Sequence, residues 1–120
     1  MIKKVFLGVG HGGTDPGAVA SGLREKDVNL GIALAAREHL ERAGVEVRLS
    51  RYKDENDSLA EEIRECNAYG PDLAVDVHNN AGGGDGFEAY CSLAGGVSRK
   101  LAENIERQVL AAGQIGRAHV

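Results

Sequence analysis

The sequence predicts an α/β fold, a mixed and mostly parallel twisted sheet flanked by helices, with elements in the order β-α-β-α-β-β-α. Three observations carry that prediction. Short apolar runs alternate with longer segments whose apolar residues recur at helical spacing. Glycines punctuate nearly every switch between the two. The chain has 120 residues, enough to close one core but not two. The first three strands are expected to run parallel, joined by right-handed crossovers.

The first element is "KKVFLGV", residues 3–9, an apolar run ending in a glycine-rich loop and so a buried strand. From Asp27, which can cap a helix, Leu30, Ala33, Leu34 and Leu40 recur on one face until Gly44 stops the pattern. "VEVRLS", residues 45–50, alternates and reads as the second strand. In "DSLAEEIRECNAYGP", Ser58 and Glu61 stand at capping-box spacing. Leu59, Ile63 and Cys66 share a helical face there, and Gly70-Pro71 is the stop. "DLAVDVH" is the third strand, "NNAGGGDG" a loop, "FEAYCSL" a fourth strand, and residues 95–113 a third helix.

A hydrophobic share of 42% and a net charge of −4 describe an ordinary globular chain and argue against nucleic acid as a ligand. No apolar run approaches the roughly eighteen residues of a membrane span, and the start is too short in apolar residues for a signal peptide. Cytoplasmic synthesis is therefore expected. Cys66 and Cys91 are too few for a disulfide scaffold or a thiolate zinc site and are expected as buried small hydrophobes.

In open α/β sheets, ligands bind outside the carboxyl ends of the strands. His11 and His78 each follow directly on a predicted strand, the first and the third, so parallel strands bring both to one edge. Glu25, in the polar segment "SGLREKD" before the first helix, can fold over the same edge. Two imidazoles and a carboxylate suit zinc, with a fourth position left for water. Each residue also has a plainer reading: a loop histidine, a first-turn carboxylate favoured by the helix dipole, glycines that only serve turns. Spacing alone leaves both open. Asn80, two residues beyond His78, shares its direction if strand geometry continues, and so can bind substrate or orient a ligand; Asn79-Asn80 before glycines is also an ordinary turn signal.

"GHGGTDPGA", "LREKDVNL" and "VDVHNNAGGGDGFEAY" resemble, in order and separation, the zinc-dependent N-acetylmuramoyl-L-alanine amidases of cell-wall hydrolases and phage endolysins. The resemblance runs from residue 3 to about residue 112. It implies that His11, Glu25 and His78 bind Zn2+. It also implies hydrolysis of the amide joining the lactyl group of N-acetylmuramic acid to the L-alanine of the peptidoglycan stem peptide. The expected protein is a bacterial or phage enzyme, monomeric, acting on the cell wall after release. Two alternatives use the same metal set: a non-catalytic wall-associated relative, and a zinc peptidase cutting within the stem peptide.

The sequence departs from the family at its end. The family places a general-base glutamate in a late strand, and this sequence has no counterpart, so a C-terminally truncated domain of weak activity is expected. Glu88, in "GFEAY", is expected to support the ligands or the fold rather than replace that base. No residue is assigned as the base. "QIGRAHV", residues 114–120, resembles the translation of a sequencing-library adapter, so residues 1–113 are expected as the catalytic domain and 114–120 as a non-native tail; the plainer alternative is a natural helix end followed by a short tail.

Overall fold

The computed structural model describes residues 1–79 and 87–113 together with the backbone of 116–119. The chain divides into two compact units, Met1–Ala81 and Gly82–Val120.

The first unit is built on a three-stranded parallel sheet in the order β4-β1-β5, with β1 at Lys4–Val9, β4 at Glu46–Leu49 and β5 at Leu73–Val77. The crossovers are α1, Glu25–Arg42, and α2, Leu59–Tyr69. β1 is central, and five of its six residues are buried, which explains why its sequence is a continuous apolar run rather than an alternation. On one face Val5, Leu7 and Val9 join Val47 and Leu49 beneath Ala33 of α1, with Leu30, Ala36 and Leu40 half-buried around them. Burying each of these valines and leucines stabilises the fold by about 1.5–3 kcal/mol. On the other face Phe6 is buried and its ring lies 6.5 Å from that of Tyr69, the last residue of α2.

The caps are partly as the sequence predicts. At α2 the Ser58 hydroxyl accepts from the Glu61 N–H at 3.1 Å, and Gly70 ends the helix in the left-handed conformation. At α1 the expectation of an Asp27 cap is wrong. The helix starts at Glu25, with Arg24 rather than Asp27 at the cap position, and Asp27 pairs with the Arg24 guanidinium at 2.8 Å. The open N–H groups of Glu25 and Lys26 donate instead to the carbonyls of Ala18 and Pro16. A folded-back loop, not a side chain, caps this helix.

That loop contains a hairpin the sequence reading missed, β2 (Val19–Ala20) against β3 (Leu23–Arg24). Its turn, Ser21-Gly22, has positive φ at both residues, the geometry that two-residue hairpins favour and that "SG" signals.

In the second unit β6 (Phe87–Tyr90) and β7 (Gly116–His119) pair in parallel through α3 (Val97–Ala111). β7 falls within the segment read as a tail and was not expected as a strand. Cys66 and Cys91 are half-buried rather than buried. Among the described residues no helix is long and apolar enough to cross a membrane.

Candidate metal centre

β1 ends at Val9, and the Gly10 N–H extends its pairing by donating to the Val77 carbonyl at 3.1 Å. This bond places the residues after β1 and after β5 side by side. A Cβ on Gly10 would stand 2.5 Å from the His78 ring, so only glycine lets that imidazole lie across the strand end. The next residue, His11, has φ 63°, an uncommon conformation for a side-chain-bearing residue, and the Gly12–Asp15 backbone pair follows directly on it.

The loop aims His11. Its Nδ1 lies 2.8 Å from Asp15 Oδ2, which leaves Nε2 directed at Glu25 Oε1, 3.3 Å away. The His11 hydrogen bond and the Gly17 N–H hold the Asp15 carboxyl below its ordinary range. A carboxylate on the outer nitrogen of an imidazole fixes its tautomer and ring orientation. On the other side His78 Nδ1 lies 3.3 Å from Glu25 Oε2. The two rings stand edge to face, with centroids 5.3 Å apart.

Glu25, the first residue of α1, sits between them with its side chain only 6% exposed. Burial pushes its carboxyl upward, but the Asn79 N–H at 2.9 Å, the Asn29 amide at 3.1 Å and the Ala18 N–H at 3.2 Å outweigh that, and the net shift is downward. Asn29 is wholly buried; it also donates to the Gly10 carbonyl and accepts from the Asn79 amide. Glu25 is thus an ionised carboxylate in a dry setting, which a cation would complete.

Ligand atoms of His11, Glu25 and His78 all lie within 4.8 Å of one another, the one such group of histidine, cysteine and acid side chains among the described residues. Zinc takes this donor set in sites that keep a coordination position open. Asn80 lies outside the described residues. Glu88 is exposed on β6, in the second unit, and its carboxylate accepts from the Tyr90 hydroxyl at 3.1 Å. Sequence reasoning missed Asp15, Asn29 and Asn79. Asn29 had a signal: it stands four residues after Glu25 on a helix, hence on the same face.

Comparison with known proteins decides the family. Residues 5–120 match the Amidase_3 family model, N-acetylmuramoyl-L-alanine amidase. The chain belongs to this amidase family. It is 47% identical over 91 residues to the sporulation-specific N-acetylmuramoyl-L-alanine amidase of Bacillus subtilis, covering 74% of this chain and 36% of that protein. It is 46% identical over 92 residues to the endolysin of Bacillus phage SPP1, covering 75% of this chain and 34% of the endolysin. Among solved structures, Cwp6 from Clostridium difficile matches with a TM-score of 0.94 at 32% identity, over 98% of this chain and 20% of that one. The chain therefore spans about a third of the length of these two curated relatives. The structural match bears out the mixed α/β reading of the sequence.

Proposed function

We propose that this chain is a zinc-dependent peptidoglycan hydrolase. Its reaction is cleavage of the amide between the lactyl group of N-acetylmuramic acid and L-alanine. The observation that carries the reading is the meeting of His11, Glu25 and His78, from three separate segments, with their ligand atoms within 4.8 Å. These residues would hold the metal. When bound, zinc supplies Lewis-acid polarisation of the scissile carbonyl and acidifies water at near-neutral pH.

The chain's own residues prepare that chemistry. Asp15 holds the His11 imidazole with Nε2 free for a ligand, and Asn29 with the Asn79 N–H keeps Glu25 ionised. The His78 side chain is 50% exposed, so that imidazole is in reach of solvent. We assign general-base work to no residue of this sequence.

Mass spectrometry of purified peptidoglycan digested by the zinc-loaded protein tests the proposal. Release of stem peptides with an intact N-terminal L-alanine is expected. Fragments cut within the stem peptide would mark a peptidase instead. Binding without release, from a chain that carries zinc, would mark a non-catalytic relative.

A further inference from the structure

Arg51, just past β4, is 1% exposed and among the largest fully buried side chains of the chain. A buried guanidinium ordinarily pairs with a carboxylate, because the desolvation cost is otherwise large. Here none of the ion pairs among the described residues includes it, and its bonds go to backbone carbonyls. Nε donates to His11 at 2.7 Å, Nη2 to Lys26 at 2.8 Å and to Gly10 at 3.3 Å, and Nη1 to Lys53 at 3.1 Å.

These acceptors fall in a meaningful pattern. Gly10 and His11 belong to the loop that carries the first metal-ligand candidate, and Lys26 follows directly on the second. One planar fork therefore ties the backbone of His11 to the backbone beside Glu25. Gly12 makes room for it, since a Cβ there would stand 2.8 Å from Arg51 Nε. Lys26 adds a second tie to the same loop. Its ammonium donates to the Gly13 carbonyl at 2.8 Å and pairs with Asp54, which itself accepts from the Gly13 N–H. A histidine at φ 63° stays there only when its surroundings over-determine it, and the Arg51 bond to its own carbonyl is the most direct constraint.

We infer that Arg51 is a positioning residue for the metal centre: it sets the separation of His11 and Glu25 before any metal arrives, so that zinc meets a preformed site. It touches neither ligand side chain, and its effect runs through their backbones. Lysine cannot substitute, because an ammonium lacks the flat five-donor fork that reaches three segments at once. The inference rests on the zinc reading above.

The test is zinc affinity, measured by competition with a chromophoric chelator, for the wild type, Arg51→Lys and the core variant Val47→Ala, with melting followed by circular dichroism. Val47→Ala lowers stability without touching the loop. Arg51→Lys is expected to weaken zinc binding by about 10- to 100-fold, the range for residues that orient ligands, while Val47→Ala stays within about twofold. Should Arg51→Lys melt too low, the comparison is repeated in the cold with trimethylamine oxide, which favours the folded state. A folded Arg51→Lys with wild-type zinc affinity overturns the role of Arg51 and leaves the zinc reading intact. A wild type that binds no zinc overturns both.

Discussion

Two glutamates on two helices over the same sheet end in opposite states. Glu25 opens α1 and its carboxyl is held below its ordinary value, although burial pushes it up. Glu62, on α2, is half-buried and raised to about 7. Burial is the first cause there as well, reinforced by the negative charges of Asp76 and Asp57, with the Ser50 hydroxyl as the opposing donor. Burial pushes both carboxyls upward. What differs is the company: N–H donors surround Glu25, and acids surround Glu62. A Cβ on Gly8 would stand 1.7 Å from Asp76 Oδ1 and 2.5 Å from Glu62 Oε1, so the two carboxyls converge over that glycine. One site is prepared for a cation and the other for a proton.

The sharpest way to break this contrast is Glu25→Ala. It removes the acceptor of Asn29, Asn79 and Ala18 and the carboxylate between two imidazoles, so zinc binding should fall below detection in the chelator competition. Stability should drop by about 2 kcal/mol, because the buried Asn29 amide and two partly buried N–H groups lose their acceptor. Zinc affinity equal to wild type would end the assignment of Glu25 as a ligand.

Asn29→Leu comes next. The side chain is wholly buried and bonded on both sides, so its loss should cost about 1–3 kcal/mol in urea unfolding and weaken zinc binding by about tenfold. Asp15→Asn separates orientation from stability, because Asp15 is exposed. Zinc affinity should fall by about tenfold with the melting temperature nearly unchanged.

The smallest effect belongs to Glu62→Gln and depends on pH. A carboxyl whose folded pKa is raised from its ordinary 4.5 to about 7 binds its proton more tightly in the folded state, so ionising it costs stability. The cost is absent below the ordinary value, grows as pH rises towards 7, and is complete above it. Solvent screening at this half-buried site keeps the effect to about 1 kcal/mol. Glu62→Gln should therefore stabilise the protein at about pH 8 and change nothing at about pH 4, with zinc affinity untouched. A stability difference independent of pH would remove the basis of the comparison.

Strands β1, β4 and β5 and the three helices were readable from apolar runs and apolar spacing, although on α2 the face marked by Leu59 and Ile63 is exposed rather than buried. Asp27 misled because a capping residue and a first-turn acid look alike in sequence. Only the return of the Ala18 and Pro16 carbonyls onto the helix start distinguishes them. The hairpin at Val19–Arg24 is too short for a hydrophobic pattern, and its "SG" turn was its only mark. His11, Glu25 and His78 could be placed at one edge because two follow strands that proved to be parallel. Their supports could not. Asp15, Asn29 and Arg51 act through hydrogen bonds to ligand side chains or to backbone, and apart from the four-residue spacing of Asn29 from Glu25 such bonds leave no periodic trace. Arg51 in particular reads as an ordinary charged residue after a strand, and only its burial reveals its place.

The central claim is that His11, Glu25 and His78 form one zinc centre. The most direct test is X-ray absorption at the zinc edge on the protein loaded with one equivalent of zinc, repeated for His11→Ala and His78→Ala. The account predicts two imidazoles and oxygen donors in the wild type, with one imidazole lost in each variant. A wild-type spectrum of oxygen-only or sulfur ligation, or one unchanged by both substitutions, would contradict it.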